Sequence, residues 1–179
     1  NSLLTQTPAV KRILPVQCEA VAASSCADVV YEPGELKVVA YGADGAPAAE
    51  EVMRTAGKPH HIELVNGRGF IGDTESPVLE ADGEDLAYIT VKVVDKDGNL
   101  CPLDARLLEF EVEGAAAYRA AANGDPTCLD VFHEPRMHAF GGMLTVTVQA
   151  GDRPGKAVLR VSGRGGKPAS VTMDVRSCH

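Results

Sequence analysis

The chain of 179 residues is long enough for one domain or two small ones, and its 45% hydrophobic residues suffice for a packed core. A net charge of −8 argues against a nucleic-acid partner, because phosphates require a basic surface. No segment reaches the roughly 20 apolar residues of a membrane-spanning helix, so we expect no membrane insertion.

The composition predicts an all-β fold rich in turns. The chain has no Trp, four Phe and four Tyr, so small aliphatic residues must carry the core, and 18 Gly and 11 Pro divide it into short segments. Its five cysteines contain no C-x-x-C pair, which excludes a zinc knuckle or a thioredoxin-like motif. The sequence favours unpaired, mostly buried thiols over a Cys18–Cys26 disulfide, which would need an oxidising compartment.

Residues 1–28 are the least regular part of the chain. Lys11–Val16 resembles the start of a signal peptide, but Pro15 and Glu19 interrupt the apolar run, so we expect ordinary chain and no signal peptide. Val10–Ala23 fits either one strand or a short helix. Whether these residues belong to the domain that follows stays open.

A smaller β unit is predicted next. Glu35–Tyr41 alternates like a half-buried strand, Asp44-Gly45 is a hairpin-type turn, and Ala48–Thr55 returns as a second strand. His60–Leu64 begins another strand. Because this segment supplies roughly three or four strands against the seven of a complete sandwich, residues 1–64 are predicted to form a smaller or partial β-sandwich unit.

Residues 65–179 are predicted to form an immunoglobulin-like β-sandwich. About seven strands follow one another, separated by turn signals every 8–12 residues or so, which is the spacing of that fold. Ala115–Ala122 is rich in alanine and stays ambiguous between strand and helix. The clearest predicted strands are 76–81, 86–94, 107–112, 143–149, 156–162 and 169–175.

Alternation predicts which side chains of these strands are buried. In Met143–Gln149 the apolar residues Leu144, Val146 and Val148 share one face, and the polar residues share the other. The same reasoning applies to the neighbouring strands. The predicted core consists of Leu86, Tyr88 or Ile89, Val91, Val93, Phe110, Leu144, Val146, Val148, Leu159 and Val161.

The connection from Asn123 to Phe140 is long, and long loops often carry function. It opens with turn-forming residues, among which Asp125 is placed to accept backbone N–H bonds. Its charged middle, Asp130–Arg136, is expected to face solvent or another domain. Phe140 is predicted to be buried at the end of the sandwich, beside Gly141-Gly142, which allow close approach. We therefore expect a structural loop.

Several motifs become informative once the strands are placed. They are Tyr31–Tyr41, Thr55–Pro59, Glu80–Val91, Asn123–Thr127 and Ala139–Gly142. In this order they resemble the C-terminal accessory β-sandwich region of bacterial β-galactosidases of glycoside hydrolase family 2. The resemblance covers about residues 29–175, and several motifs together are more specific than any one of them.

In such enzymes two catalytic glutamates lie on a TIM barrel far upstream, and nothing in this chain resembles that barrel. The resemblance therefore implies a non-catalytic C-terminal accessory module, which packs on the upstream domains of the same polypeptide or shapes access to their active site. It implies no catalytic residue in this chain and a periplasmic or extracellular location, and the residue patterns themselves predict no cofactor or metal ligand. Two alternatives stay open: a carbohydrate-binding module that takes oligosaccharide, and an immunoglobulin-like cell-surface spacer.

Carboxylates are the first candidates for chemistry, because glycoside hydrolysis uses two of them about 5–9.5 Å apart. Several lie beside glycine or in turns, where aspartate is favoured because its side chain accepts bonds from the backbone. A self-contained hydrolase site is therefore not predicted. The candidates are Asp82, Glu84, Asp85, Asp95, Asp97, Asp125, Asp130 and Glu134.

Other constellations also have simpler interpretations. Asp95–Asn99 lacks the residue order and the bidentate glutamate of an EF-hand, so a hairpin turn is predicted. Cys128 with His133 as its base lacks a third, orienting residue, so a packed or idle thiol is predicted. The one plausible metal cluster, without a known ligand spacing, is His133, His138, Asp130 and Glu134.

Carbohydrate binding would use aromatic side chains, because the apolar C–H faces of a pyranose stack on flat rings. With no Trp, four Phe and four Tyr in the chain, most aromatic residues are expected in the core. The loop candidates are Tyr31, Tyr118 and Phe132.

Overall fold

The computed structural model describes residues 2–6, 14–16, 32–42, 44–66, 77–165 and 167–177. Within these residues the chain forms thirteen β-strands and no α-helix, which confirms the all-β prediction. The described part of the chain accordingly offers no helix of the length and apolarity that crossing a membrane requires. The strands are β1 (Ser2–Gln6), β2 (Leu14–Val16), β3 (Glu35–Tyr41), β4 (Pro47–Arg54), β5 (His61–Asn66), β6 (Val78–Glu80), β7 (Leu86–Val94), β8 (Leu107–Gly114), β9 (Ala116–Ala122), β10 (Arg136–His138), β11 (Met143–Ala150), β12 (Gly155–Gly163) and β13 (Ala169–Arg176).

The chain divides into two compact units, Asn1–Thr55 and Ala56–His179. The described strands of the first unit form one antiparallel sheet in the order β2-β1-β3-β4. The predicted hairpin turn joins β3 to β4, with a positive φ of 75° at Gly45 and the Asp44 carboxylate accepting the Ala46 N–H at 3.1 Å. The described strands of the first unit thus account for one sheet.

The second unit is a sandwich of two sheets, as predicted. One sheet has the order β10-β8-β12-β13-β6 and the other the order β5-β7-β11-β9. All pairings are antiparallel except that of β13 with β6. The apolar faces of the two sheets meet in one cluster of buried residues, which is the core of the immunoglobulin-like fold.

Strand β5 belongs to the second unit, although the sequence placed this segment in the first. Its residues pair with β7, so that Ile62 lies opposite Val93 and Leu64 opposite Val91, and Ile62 is buried. The units therefore divide between Thr55 and Ala56, whereas the predicted boundary lay after residue 64. Position along the chain could not show this, because the partner of β5 lies beyond an intervening segment of the chain.

The alanine-rich segment is a strand at the edge of its sheet. β9 pairs with β11, with a register shift between Thr147 and Val148. Ala121 is buried against the core, and the ring of Tyr118 stacks on Phe110 with a centroid separation of 5.8 Å. The small side chains permit either secondary structure, and pairing with β11 decides between them.

The core agrees with the alternation pattern except in β7. Ala87 and Ile89 point inwards with Val91 and Val93, whereas Tyr88 is 44% exposed and Leu86 is only half-buried. Leu86 was predicted to lie in the core, but it shares the outer face of β7 with Tyr88. Buried residues that the prediction omitted include Ile62, Leu79, Ala87, Leu108, Met137, Ala157, Met173 and Val175.

Candidate functional site

The connection between β9 and β11 contains a strand that the sequence did not show. β10 pairs with the start of β8, so that Met137 lies opposite Leu108 and His138 opposite Leu107. This pairing adds a short edge strand to the five-stranded sheet. We call residues 123–135 the long loop, since they connect β9 to β10.

The first half of the long loop is held by its own turn residues. The Asn123 Oδ1 atom accepts the Asp125 N–H at 3.0 Å, and the Asn123 amide group donates to the His138 carbonyl at 2.9 Å. Asp125 accepts the Thr127 N–H at 2.8 Å, which confirms its predicted role. Asn123 thus ties the start of the loop to the end of β10.

The second half of the loop is fastened to the strands on both sides. The Tyr118 hydroxyl of β9 lies 2.9 Å from the Phe132 carbonyl and 2.7 Å from the Glu134 carbonyl. Burial raises the pKa of Tyr118 to about 12. Asp130 accepts the backbone N–H of His138 at 2.7 Å and lies 3.0 Å from its ring Nδ1, and both contacts lower the pKa of Asp130.

The long loop presents apolar side chains outwards. Leu129 is 95% exposed, Phe132 57% and Val131 43%, and we call these three residues the loop patch. Beside them lies a hollow of about 330 Å³. Its lining consists of Leu107, Leu129, Asp130, Val131, Glu134, Arg136 and His138.

Sequence reasoning identified the charges of this loop and overlooked the patch. Glu134 and Arg136 form an ion pair at 2.9 Å, so two charges of the predicted charged middle face each other. Leu129 and Val131 alternate with Asp130 next to Phe132, and this apolar run in a loop was the available signal. The fold shows that these side chains stay uncovered within the described chain.

Phe140 is not the buried residue that the sequence predicted. It is 50% exposed, while Met137 of β10 is fully buried and Ala139 is 3% exposed. Phe140 instead flanks a two-residue turn with positive φ at both Gly141 and Gly142, the geometry of a type I′ hairpin. The sequence predicted burial of Phe140 and not of Met137 because it did not show the strand β10.

Truncation of Met137 should therefore cost far more stability than truncation of Phe140. Met137→Ala is expected to lower the free energy of unfolding by about 2–5 kcal/mol, because it leaves a cavity in the core. Phe140→Ala should cost less than about 1 kcal/mol, the range of exposed positions. Denaturant unfolding of the two variants checks this order, and equal losses would restore the buried position predicted for Phe140.

Several candidate carboxylates stabilise turns. Asp82 accepts the N–H groups of Glu84 at 2.8 Å and Asp85 at 2.7 Å, and these bonds lower the pKa of Asp82. Asp85 accepts the N–H of Glu80 at 2.9 Å. Asp97 is exposed, 3.8 Å from the Lys96 ammonium group. These contacts support the interpretation of the aspartates as turn residues.

Asp95 is a buried structural carboxylate, with 2% of its surface exposed. Its oxygens accept N–H bonds from Gly57 at 2.7 Å, from Asp97 at 2.9 Å and from Asn99 at 2.9 Å. The Gly57 bond, followed by that of the Asn99 side chain, holds the pKa of Asp95 well below its usual range. The segment that superficially resembles a calcium loop is thus a turn built around its own carboxylate, which also holds the segment before β5.

Asp95→Asn should lower the melting temperature clearly at neutral pH, because an amide cannot accept all these N–H bonds. The lowered folded-state pKa means that the carboxylate stabilises the fold above its ordinary pKa of about 3.9. That contribution disappears as the pH falls towards the lowered pKa. The difference in melting temperature between the wild type and Asp95→Asn should therefore become smaller below about pH 4.

Asp97→Asn is the matched control for this substitution, because Asp97 lies exposed in the same turn. It should leave the melting temperature nearly unchanged at every pH. A gap between wild type and Asp95→Asn that stays constant from neutral to acidic pH would contradict the role given to the ionised carboxylate.

The four residues considered as a plausible metal cluster are brought together only in part. Asp130 meets His138, whereas Glu134 pairs with Arg136 and His133 lies exposed. Across the residues that the structure describes, no group of three or more potential ligands converges on one point.

The cysteine interpretations are tested at two positions. Cys101 is buried and unpaired, and Cys128 is unpaired and half-buried, with its sulfur 3.3 Å from the Asn123 amide nitrogen. The Asp130 carboxylate also accepts a bond from the Cys128 side chain, a contact that fits the predicted packed thiol. Cys18, Cys26 and Cys178 lie outside the described residues.

Of the two aromatic candidates for sugar contact that the structure describes, Phe132 has the largely free ring. Tyr118 is half-buried and stacked on Phe110. Tyr31 lies outside the described residues. The loop therefore offers an apolar surface with one aromatic ring and two aliphatic side chains.

Comparison with known proteins relates the chain to enzymes that act on glycosides. Residues 73–172 match the family model described as glycoside hydrolase family 2 C-terminal domain 5. The β-galactosidase BoGH2A of Bacteroides ovatus is 38% identical over 137 residues, which are 76% of this chain and 15% of that protein. A β-glucuronidase of Formosa agariphila is 29% identical over 147 residues, which are 82% of this chain and 14% of that protein.

A solved structure shows the same arrangement of strands. A glycosyl hydrolase family 2 member from Bacteroides cellulosilyticus superposes with a TM-score of 0.81 at 26% identity. The match covers 96% of this chain and 22% of the other. The chain thus spans about a fifth or less of the length of these relatives.

Proposed function

Because the chain belongs to the glycoside hydrolase family 2 C-terminal domain 5 family, we propose that it is a non-catalytic accessory module of a family 2 glycoside hydrolase. The substrate that we propose for the whole enzyme is a β-galactoside, in keeping with the name of the relative that is 38% identical. The module would pack on the upstream domains of the same polypeptide or shape access to their active site. We also propose a periplasmic or extracellular location, on the resemblance alone.

The observation that carries this proposal is the share of the relatives that the chain covers. The match to the β-galactosidase BoGH2A includes 76% of this chain but only 15% of that enzyme. The remaining length of such a polypeptide is ample for a separate catalytic domain. A module of this size at one end of a large enzyme is most simply an accessory to that domain.

The roles of the carboxylates support the same conclusion. A hydrolase needs one carboxylic acid to donate a proton and one carboxylate to act as base or nucleophile. Asp82 and Asp95 accept backbone N–H bonds, and those bonds lower their pKa values, which is the wrong direction for a proton donor. Glu134 is occupied by Arg136 in an ion pair.

An activity assay tests the proposal. The purified chain should not hydrolyse an aryl β-galactoside above background, whereas the full-length parent enzyme should. In the full-length enzyme, Glu84→Gln and Glu134→Gln should leave the turnover number within about twofold, because neither side chain touches the reacting bond. Turnover by the chain that survives purification and disappears in either variant would overturn the proposal.

A further inference from the structure

We propose that the loop patch, Leu129, Val131 and Phe132, is the surface through which this module docks onto another domain of the same polypeptide, outside these 179 residues. This inference rests on the proposed accessory function and names the surface involved. The partner is a protein surface with a bulky apolar side chain that enters the hollow beside the patch.

The first argument is that the patch is both uncovered and held in place. Leu129 is 95% exposed and Phe132 57% exposed, so apolar surface faces water at nearby positions of one loop. The loop backbone is nevertheless fixed, because the Tyr118 hydroxyl bonds to the carbonyls of Phe132 and Glu134. A preorganised surface loses less conformational freedom on binding, which favours association.

The second argument is the hollow next to the patch. Its volume of about 330 Å³ is large enough to accept a bulky side chain, and Leu107, Leu129 and Val131 supply its apolar walls. Its polar groups already have partners: Asp130 lies 3.0 Å from the His138 ring, and Glu134 2.9 Å from Arg136. A hydrogen-bonded polar rim around an apolar centre is the usual composition of a protein interface.

The same features favour a protein over an oligosaccharide. A sugar-binding surface needs flat rings and free hydrogen-bonding groups, whereas two of the three patch side chains are aliphatic. The polar groups of the hollow bond to one another and to the backbone N–H of His138 in β10. A protein side chain needs only the apolar walls that the hollow supplies.

The choice of another domain over a second copy follows from charge and chain length. Each copy carries a net charge of −8, and like charges oppose self-association. Relatives with matching strands extend far beyond this region, which is 22% of the solved family 2 structure from Bacteroides cellulosilyticus. A covalently linked domain is present at high effective concentration, so a small patch suffices to hold it.

Thiol labelling of the full-length enzyme tests the proposal. Leu129→Cys, placed in a Cys128→Ser background to remove the neighbouring thiol, is labelled with a maleimide and followed by peptide mass spectrometry. Arg153→Cys is the control. Arg153 is exposed in the turn that follows β11, whereas the long loop precedes β11 in the chain. We expect the Leu129→Cys thiol to react at least about tenfold more slowly than the control, as in a water-excluded interface.

A second variant shows whether the protection comes from the patch itself. Adding Phe132→Ser to the Leu129→Cys enzyme should raise the labelling rate towards that of Arg153→Cys. Equal rates at the two positions without this change would overturn the proposal. Protection that appears only with added oligosaccharide, or that disappears on dilution, would also overturn it in favour of a glycan or a second copy. Aryl-galactoside hydrolysis by the same preparations reports separately on the proposed function.

Discussion

Val146→Asp should unfold the sandwich of residues 56–179. Val146 is fully buried in the middle of β11, between Ile89 of β7 and Ala121 of β9. An unpaired carboxylate at this position costs several kcal/mol, because the surrounding side chains offer no hydrogen bond. That cost is comparable with the whole stability of a domain, which is about 5–15 kcal/mol.

Thr147→Asp is the matched control, since it places the same side chain one residue further along the same strand. Thr147 is half-buried on the opposite face, where it pairs with the exposed Tyr88. We expect this variant to retain a cooperative melt and to lose no more than about 1 kcal/mol. Circular dichroism melts compare the two, and similar unfolding curves would show that the assignment of the two faces is wrong.

Gly142→Ala should be the second most damaging of the substitutions considered. Gly142 has a φ of 76°, and an added Cβ would collide with the backbone carbonyl oxygen of Cys101. The turn cannot shift away from Cys101 easily, because two hydrogen bonds hold it. The Gly142 N–H donates to the Asp104 carbonyl at 3.1 Å, and the Gly142 carbonyl accepts the Val93 N–H at 2.8 Å. We expect a loss approaching about 5 kcal/mol, because overpacking against a backbone atom costs up to about 3 kcal/mol and the left-handed conformation adds about 1–2 kcal/mol.

Gly141→Ala separates the two causes of this loss. Gly141 also has a positive φ, of 60°, but a Cβ added to Gly141 would meet no other atom within 4 Å. This control should therefore lose only the conformational preference, about 1–2 kcal/mol. Urea unfolding of both variants measures the difference. Equal losses would mean that the turn moves away from Cys101 at little cost.

The hairpin turn and the long loop have different relations to function. The turn of Gly141 and Gly142 bonds to the end of β7 through Val93 and to the segment before β8 through Asp104, so its role is structural. The long loop is equally well bonded, yet the side chains that it holds outwards are apolar. A docked domain would cover Leu129 and Phe132, and this covering would explain why so many hydrogen bonds fix the loop.

Local patterns determined much of the fold. The alternation of Leu144, Val146 and Val148 correctly placed β11 and its buried face, because the direction of a side chain in a strand depends only on its position in that strand. Asp125 was correctly assigned to its turn, because the bond to Thr127 joins residues two positions apart. The family resemblance also followed from the sequence, since several short motifs occur in a matching order.

The tertiary structure alone decided what depends on partners distant in the chain. β5 pairs with β7, and β10 pairs with β8, across long intervening segments, so no local pattern could identify these pairing partners. Met137 is buried and Phe140 exposed for the same reason: pairing of β10 turns Met137 into the core. Exposure of Leu129 likewise depends on what covers it, which is a property of the surrounding surface and not of the side chain.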